Sequence, residues 1–142
     1  ITNILDPIQG RVIETSGSGT LNAYLLSKED GTPFRNTREF VASWRMNFTE
    51  AATFVWRVKV NNTSYVSLFY GAAFPAGCSL NGAAIQCGLD TGLYDGSWHT
   101  VTRDLKADLA SISPSAIATQ VNNFAIQGTG MVDNVALSTV GP

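Results

Sequence analysis

The chain has 142 residues, 44% of them hydrophobic and only 14% charged, with a formal net charge of −2. That length fits one domain with a real core, and the hydrophobic share argues against disorder. The charge balance excludes a bulk electrostatic case for nucleic acid or an anionic membrane, and no apolar run approaches the roughly 20 residues that span a bilayer. Thr, Ser, Asn and Gly supply the polar surface, a mix that suits an extracellular β-protein. The chain starts at Ile1 without an initiator Met. It is expected to be a mature or excised domain whose export signal lies outside this sequence.

Strand signals recur along the chain. Arg11–Thr15 reads as a short strand, closed by a turn at Ser16-Gly-Ser-Gly19. Leu21–Leu26 reads as a second, with a turn at Asp30-Gly31 and Pro33. Phe40, Ala42, Trp44, Met46 and Phe48 then alternate with Val41, Ser43, Arg45 and Asn47, the pattern of a strand with one buried face. Phe54, Trp56, Val58 and Val60 alternate in the same way with Val55, Arg57 and Lys59. Asn61-Asn62 makes a hairpin connection to a strand at Ser64–Tyr70.

Residues Gly71 to Gly96 are rich in Gly, Ala and Asn and read as a long excursion with a strand at Ala84–Cys87. Trp98–Arg103 is a strand. Leu105, Leu109 and Ile112 fall at helical spacing before Pro114, so one short helix is predicted. Phe124 with Ile126, and Val132–Leu137, close the fold around Gly128-Thr-Gly130. Short strands with regular turns predict one all-β domain over residues 1–142. The expected form is an antiparallel β-sandwich of jelly-roll type with one short helix.

The even cysteine count and short spacing of Cys78 and Cys87 predict one disulfide. A single His and one Cys pair are too few for a zinc site.

Trp44 and Trp56 lie on the apolar faces and read as core. Turning those faces inward leaves Arg45, Arg57 and Lys59 outward, a basic hydrogen-bonding surface if the two strands are neighbours. His99 and Arg103 share a parity on their strand and are candidates to join it. Tyr65 and Phe69 share a parity opposite Val66 and Leu68 and are candidate ring platforms. Tyr94 reads either as an exposed ring in the Leu93–Gly96 loop or as a loop anchor. Sugars offer C–H faces to aromatic rings and hydroxyls to planar polar side chains, and Arg pairs with carboxylates in bidentate fashion. The set therefore suits a polysaccharide, an acidic one in particular.

The run Gly96-Ser-Trp-His-Thr-Val-Thr-Arg-Asp-Leu105 is followed by Val121–Ile126, Gly128-Thr-Gly130 and the close Val132-Asp-Asn-Val135. That order resembles the closing part of the β-sandwich carbohydrate-binding modules attached to secreted polysaccharide-degrading enzymes. Asp6-Pro-Ile-Gln-Gly-Arg-Val-Ile-Glu14, the Trp44 strand and the Tyr65–Tyr70 run are similar to earlier parts of such modules. The resemblance implies non-catalytic sugar binding and a monomer tethered to the catalytic or other domains of a larger secreted or surface protein. It also implies one structural calcium between the first and last strands, with Asp6 and Asp133 as metal ligands. Sugar-contacting residues vary among such modules, so none carries over.

Two other readings stand beside this one. The first is a structural or adhesion sandwich without a small ligand. The second is a small polysaccharide lyase, with His99 or a Tyr as base and Arg neutralising a uronate.

Overall fold

The computed structural model describes residues 2–6, 10–16, 23–26, 28, 30–82 and 84–139. Alternating hydrophobicity sets the plan, because side chains along a strand point to opposite faces. The strands are β1 (Thr2–Asp6), β2 (Gly10–Thr15), β3 (Ala23–Leu26), β4 (Val41–Asn47), β5 (Thr53–Val60) and β6 (Ser64–Gly71). They continue with β7 (Cys78–Asn81), β8 (Ala84–Gly88), β9 (His99–Asp104), β10 (Ala118–Gln127) and β11 (Gly130–Ser138). A five-stranded sheet has the order β1-β2-β11-β4-β9 and a six-stranded sheet the order β3-β10-β5-β6-β8-β7.

The all-β sandwich expected from the sequence is the observed fold. Two inward aromatic faces meet in the middle. The Trp44 ring from β4 lies 5.3 Å from Phe54, 6.3 Å from Trp56, 5.9 Å from Tyr70 and 5.5 Å from Phe124, centroid to centroid. All five residues are wholly buried, so these rings are the contact between the sheets.

Three details depart from the expectation. First, β4 and β5 lie in different sheets although they follow one another in the chain. Second, the sandwich is not purely antiparallel, because β8 pairs β6 in parallel. The excursion after β6 supplies β7, absent from the sequence reading, and returns through an antiparallel β7–β8 pair. Gly88 makes that return possible: a Cβ there would stand 2.3 Å from the Pro75 carbonyl oxygen. Third, β1 precedes the first predicted strand. The predicted turn residues Gly17–Gly19, the first two residues of the Leu21–Leu26 strand, and residues 140–142 lie outside the described set.

The predicted helix is α1 (Leu105–Ile112). The Asp104 carboxylate caps it by accepting from the Ala107 N–H at 3.1 Å, which satisfies an end donor. Leu105 and Leu109 are buried beneath it. Cys78 and Cys87 form the predicted disulfide, across the β7–β8 register pair. Among the described residues no helix is long and apolar enough to cross a membrane.

Candidate sugar-binding face

The inward side of β5 is Phe54, Trp56, Val58 and Val60, all buried. Arg57 and Lys59 therefore project from the outer face of the six-stranded sheet. Lys59 pairs in register with Tyr65, and Arg57 with Ser67, on β6. On the other side, Lys59 pairs with Gln120 and Arg57 with Asn123 of β10. Phe69 stands opposite Val55 and opposite Gln86 of β8. One face thus gathers two cations, two rings and the amides of Gln120, Asn123 and Gln86.

Tyr65 is the centre of this group. The Arg57 guanidinium carbon lies 5.1 Å from its ring centroid and the Lys59 ammonium 5.8 Å, both within cation–π range. The residue is 48% exposed.

The charge of this sheet is one-sided. Its six strands carry Arg57 and Lys59 and no Asp or Glu. The whole chain has 11 carboxylates against nine basic residues, so the acids lie off these strands. A face with cations and no like-placed carboxylate attracts anions and penalises none of their charge.

The remaining predicted site residues lie elsewhere. Arg45 is on β4 of the five-stranded sheet, opposite Thr100 and Asp133 in register. The core separates it from Arg57, and its guanidinium carbon lies 5.8 Å from the Trp98 ring. Arg103 faces inward at the sandwich edge, since its register partner is the buried Ala42. It makes a bidentate pair with Asp108 at 2.7 and 3.0 Å. The Tyr70 hydroxyl donates to the same carboxylate at 2.7 Å. Hydrogen bonding to Asp108 raises the Arg103 pKa, and burial pushes the Tyr70 phenol well above its ordinary range. These contacts tie β9, α1 and β6 together as a structural clamp.

Tyr94 resolves as the loop anchor. Its hydroxyl donates to the Ala52 carbonyl at 2.8 Å, its ring packs on the core, and burial pushes its pKa up to about 12. His99, on β9, has Nε2 2.8 Å from the Asp95 carboxylate and 3.1 Å from the Ser97 hydroxyl. Hydrogen bonds from Ser97 and then His99 hold the Asp95 carboxyl well below the usual range. Tyr65 is on the opposite sheet, and the hydroxyls of Tyr24, Tyr70 and Tyr94 bond Ser16, Asp108 and Ala52.

Asp6 and Asp133 are on β1 and β11, with β2 between them. The Asp6 carboxylate accepts the Trp98 indole N–H at 3.1 Å. Calcium takes six to eight oxygens, so an ion held by these two carboxylates would need backbone carbonyls to complete its set. Among the described residues, three candidate ligand groups converge at Cys78, Cys87 and Asp108. Both sulfurs there are consumed by the disulfide.

Sequence reasoning missed Gln86, Asn123 and Gln120. Gln86 and Asn123 sit at outward parities, whereas Gln120 shares the parity of the buried Phe124 and Ile126 and comes opposite Lys59 only through the register shifts in β10. No protein-family model matches the chain, and no curated protein matches it significantly.

Proposed function

We propose that this domain binds a uronate-containing polysaccharide, without catalysis, on the outer face of its six-stranded sheet. The supporting observation is the set Arg57, Lys59 and Tyr65 on a sheet whose strands have no carboxylate. The Tyr65 ring stacks on a sugar C–H face. Arg57 donates two N–H bonds to a uronate carboxylate in bidentate geometry, Lys59 adds charge, and Gln86, Asn123 and Gln120 bond hydroxyls.

Affinity at one such open face is modest, and tethering to a polysaccharide-active partner domain would raise the effective concentration at the substrate. The reading places the protein outside the cell, where a disulfide such as Cys78–Cys87 persists.

Affinity electrophoresis through gels holding polygalacturonate, alginate or a neutral glucan tests it. Retention on an acidic gel, lost in Tyr65→Ala and Arg57→Ala, is the expected result. Equal migration of wild type and variants in every gel would leave a spacer or adhesion sandwich as the better account.

A further inference from the structure

The acceptor triplet for N-linked glycans, Asn-x-Ser/Thr, occurs in this chain at Asn47-Phe48-Thr49 and in two overlapping copies, Asn61-Asn62-Thr63 and Asn62-Thr63-Ser64. The triplet places a hydroxyl two residues after a primary amide, and in a secreted protein it marks a surface loop. The fold separates the copies. Asn47 ends β4, is half-buried and pairs with Met131 of β11, and Phe48 after it is buried in the core. That triplet is built into the sheet and the core.

The overlapping copies form the turn between β5 and β6. Residues 61–64 are all exposed. Asn61 and Asn62 take left-handed φ values of 51° and 58°, which Asn tolerates better than most residues. The turn is fastened to the segment that enters β10. The Asn61 N–H donates to the Ile117 carbonyl at 2.9 Å, and the Ile117 N–H donates back to Asn61 Oδ1 at 3.0 Å. The Asn62 N–H donates to the Thr119 hydroxyl at 3.2 Å. Asn61 therefore uses its carbonyl oxygen to hold the turn, while no described residue accepts from its Nδ2.

From this geometry we propose that Asn61 is an N-glycan attachment site. The donor is an oligosaccharide carried on a lipid pyrophosphate in a secretory compartment. The sugar C1–O bond breaks, a C1–Nδ2 bond forms, Nδ2 gives up one proton, and the lipid pyrophosphate leaves with the electron pair. An N-linked amide keeps its carbonyl oxygen, so the bond from Ile117 to Oδ1 is compatible with the modified side chain. Asn61 is favoured over Asn62 because its hydroxyl comes from Thr63. A β-branched side chain is stiff at χ1, so that hydroxyl is ordered at less cost than the one on Ser64. Ile117, bonded to Asn61 on both sides, is 58% exposed, and a glycan rooted beside it shields that apolar surface from water.

The test is secretion of the full 142-residue chain from a cell line that carries out N-glycosylation, beside a secreted glycoprotein as positive control. Intact mass before and after enzymatic release of N-glycans in 18O-labelled water reads occupancy, and peptide mapping locates the label. The expected result is one glycan, labelled at position 61. It should be lost in Asn61→Gln and Thr63→Ala and kept in Ser64→Ala and Asn47→Gln. Thr63→Ala retains the Asn61 amide, so loss of the glycan there does not depend on the bond to Ile117. The glycosylated chain should unfold at a denaturant midpoint no lower than that of the unmodified chain. An unmodified product beside a modified control would overturn the proposal. So would a label at Asn62 or Asn47, or a lowered midpoint, which would show that the turn does not accommodate the glycan.

Discussion

Arg57 and Tyr65 stand on adjacent strands of one sheet, with the guanidinium carbon 5.1 Å from the centre of the phenol ring. The pair is formed before any ligand arrives, so little side-chain ordering is needed on binding. Replacing Tyr65 by Ala should lower affinity for an acidic polysaccharide at least tenfold. The exposed ring contributes little to the core, so the melting temperature should stay within about 2 °C. Arg57→Lys keeps the charge but not the planar fork and should bind more weakly than wild type. Isothermal titration at two salt concentrations checks both points, since a charge-led site weakens as salt rises.

Asp108 joins three elements: it sits on α1, pairs with Arg103 of β9 and accepts from Tyr70 of β6. Asp108→Ala would leave a half-buried guanidinium and a buried hydroxyl without their acceptor. The expected destabilisation is about 2–4 kcal/mol, read by urea denaturation. Tyr70→Phe removes one bond only and should destabilise by about 1 kcal/mol. Glycan retention should survive in both variants, because neither residue lies on the outer face.

Two phenols carry raised pKa values: Tyr70, well above the ordinary range, and Tyr94, at about 12, both mainly through burial. The unfolded chain ionises these groups near pH 10, before the folded protein does. Their neutral forms therefore hold full stabilising value below pH 10, and that value declines as pH rises toward 12. Unfolding free energy should fall between about pH 10 and 12, and Tyr94→Phe should make the decline shallower. Absorbance of phenolate through the same range gives an independent reading.

The Cys78–Cys87 bond closes a loop with a sequence separation of nine. By the chain-entropy estimate a loop this short contributes about 2.5 kcal/mol. Paired Cys78→Ser and Cys87→Ser substitution should lower stability by that order without unfolding the sandwich. The rings that pack on Trp44 come from β5, β6 and β10 and not from β7 or β8. A midpoint shift in denaturant with an unchanged slope would match that expectation.

Much of this protein was readable residue by residue. The alternation at Phe40–Phe48 and Phe54–Val60 identified two half-buried strands, because a strand's side chains repeat every two residues and water sorts them by polarity. Leu105, Leu109 and Pro114 located the helix by the same local logic. Tyr65 and Phe69 came out on one face because parity within a single strand is a local property. What tertiary structure alone decided was which strands became neighbours. β4 and β5 follow one another in the chain yet enter opposite sheets, so Arg45 and Arg57 are divided by the core that their own strands build. Arg103 shared a promising parity but turned inward to meet Asp108, and Tyr94 spent its hydroxyl on Ala52. Sequence determines the face of each strand; register and sheet order, set by the joint burial of distant apolar faces, determine which side chains share a site.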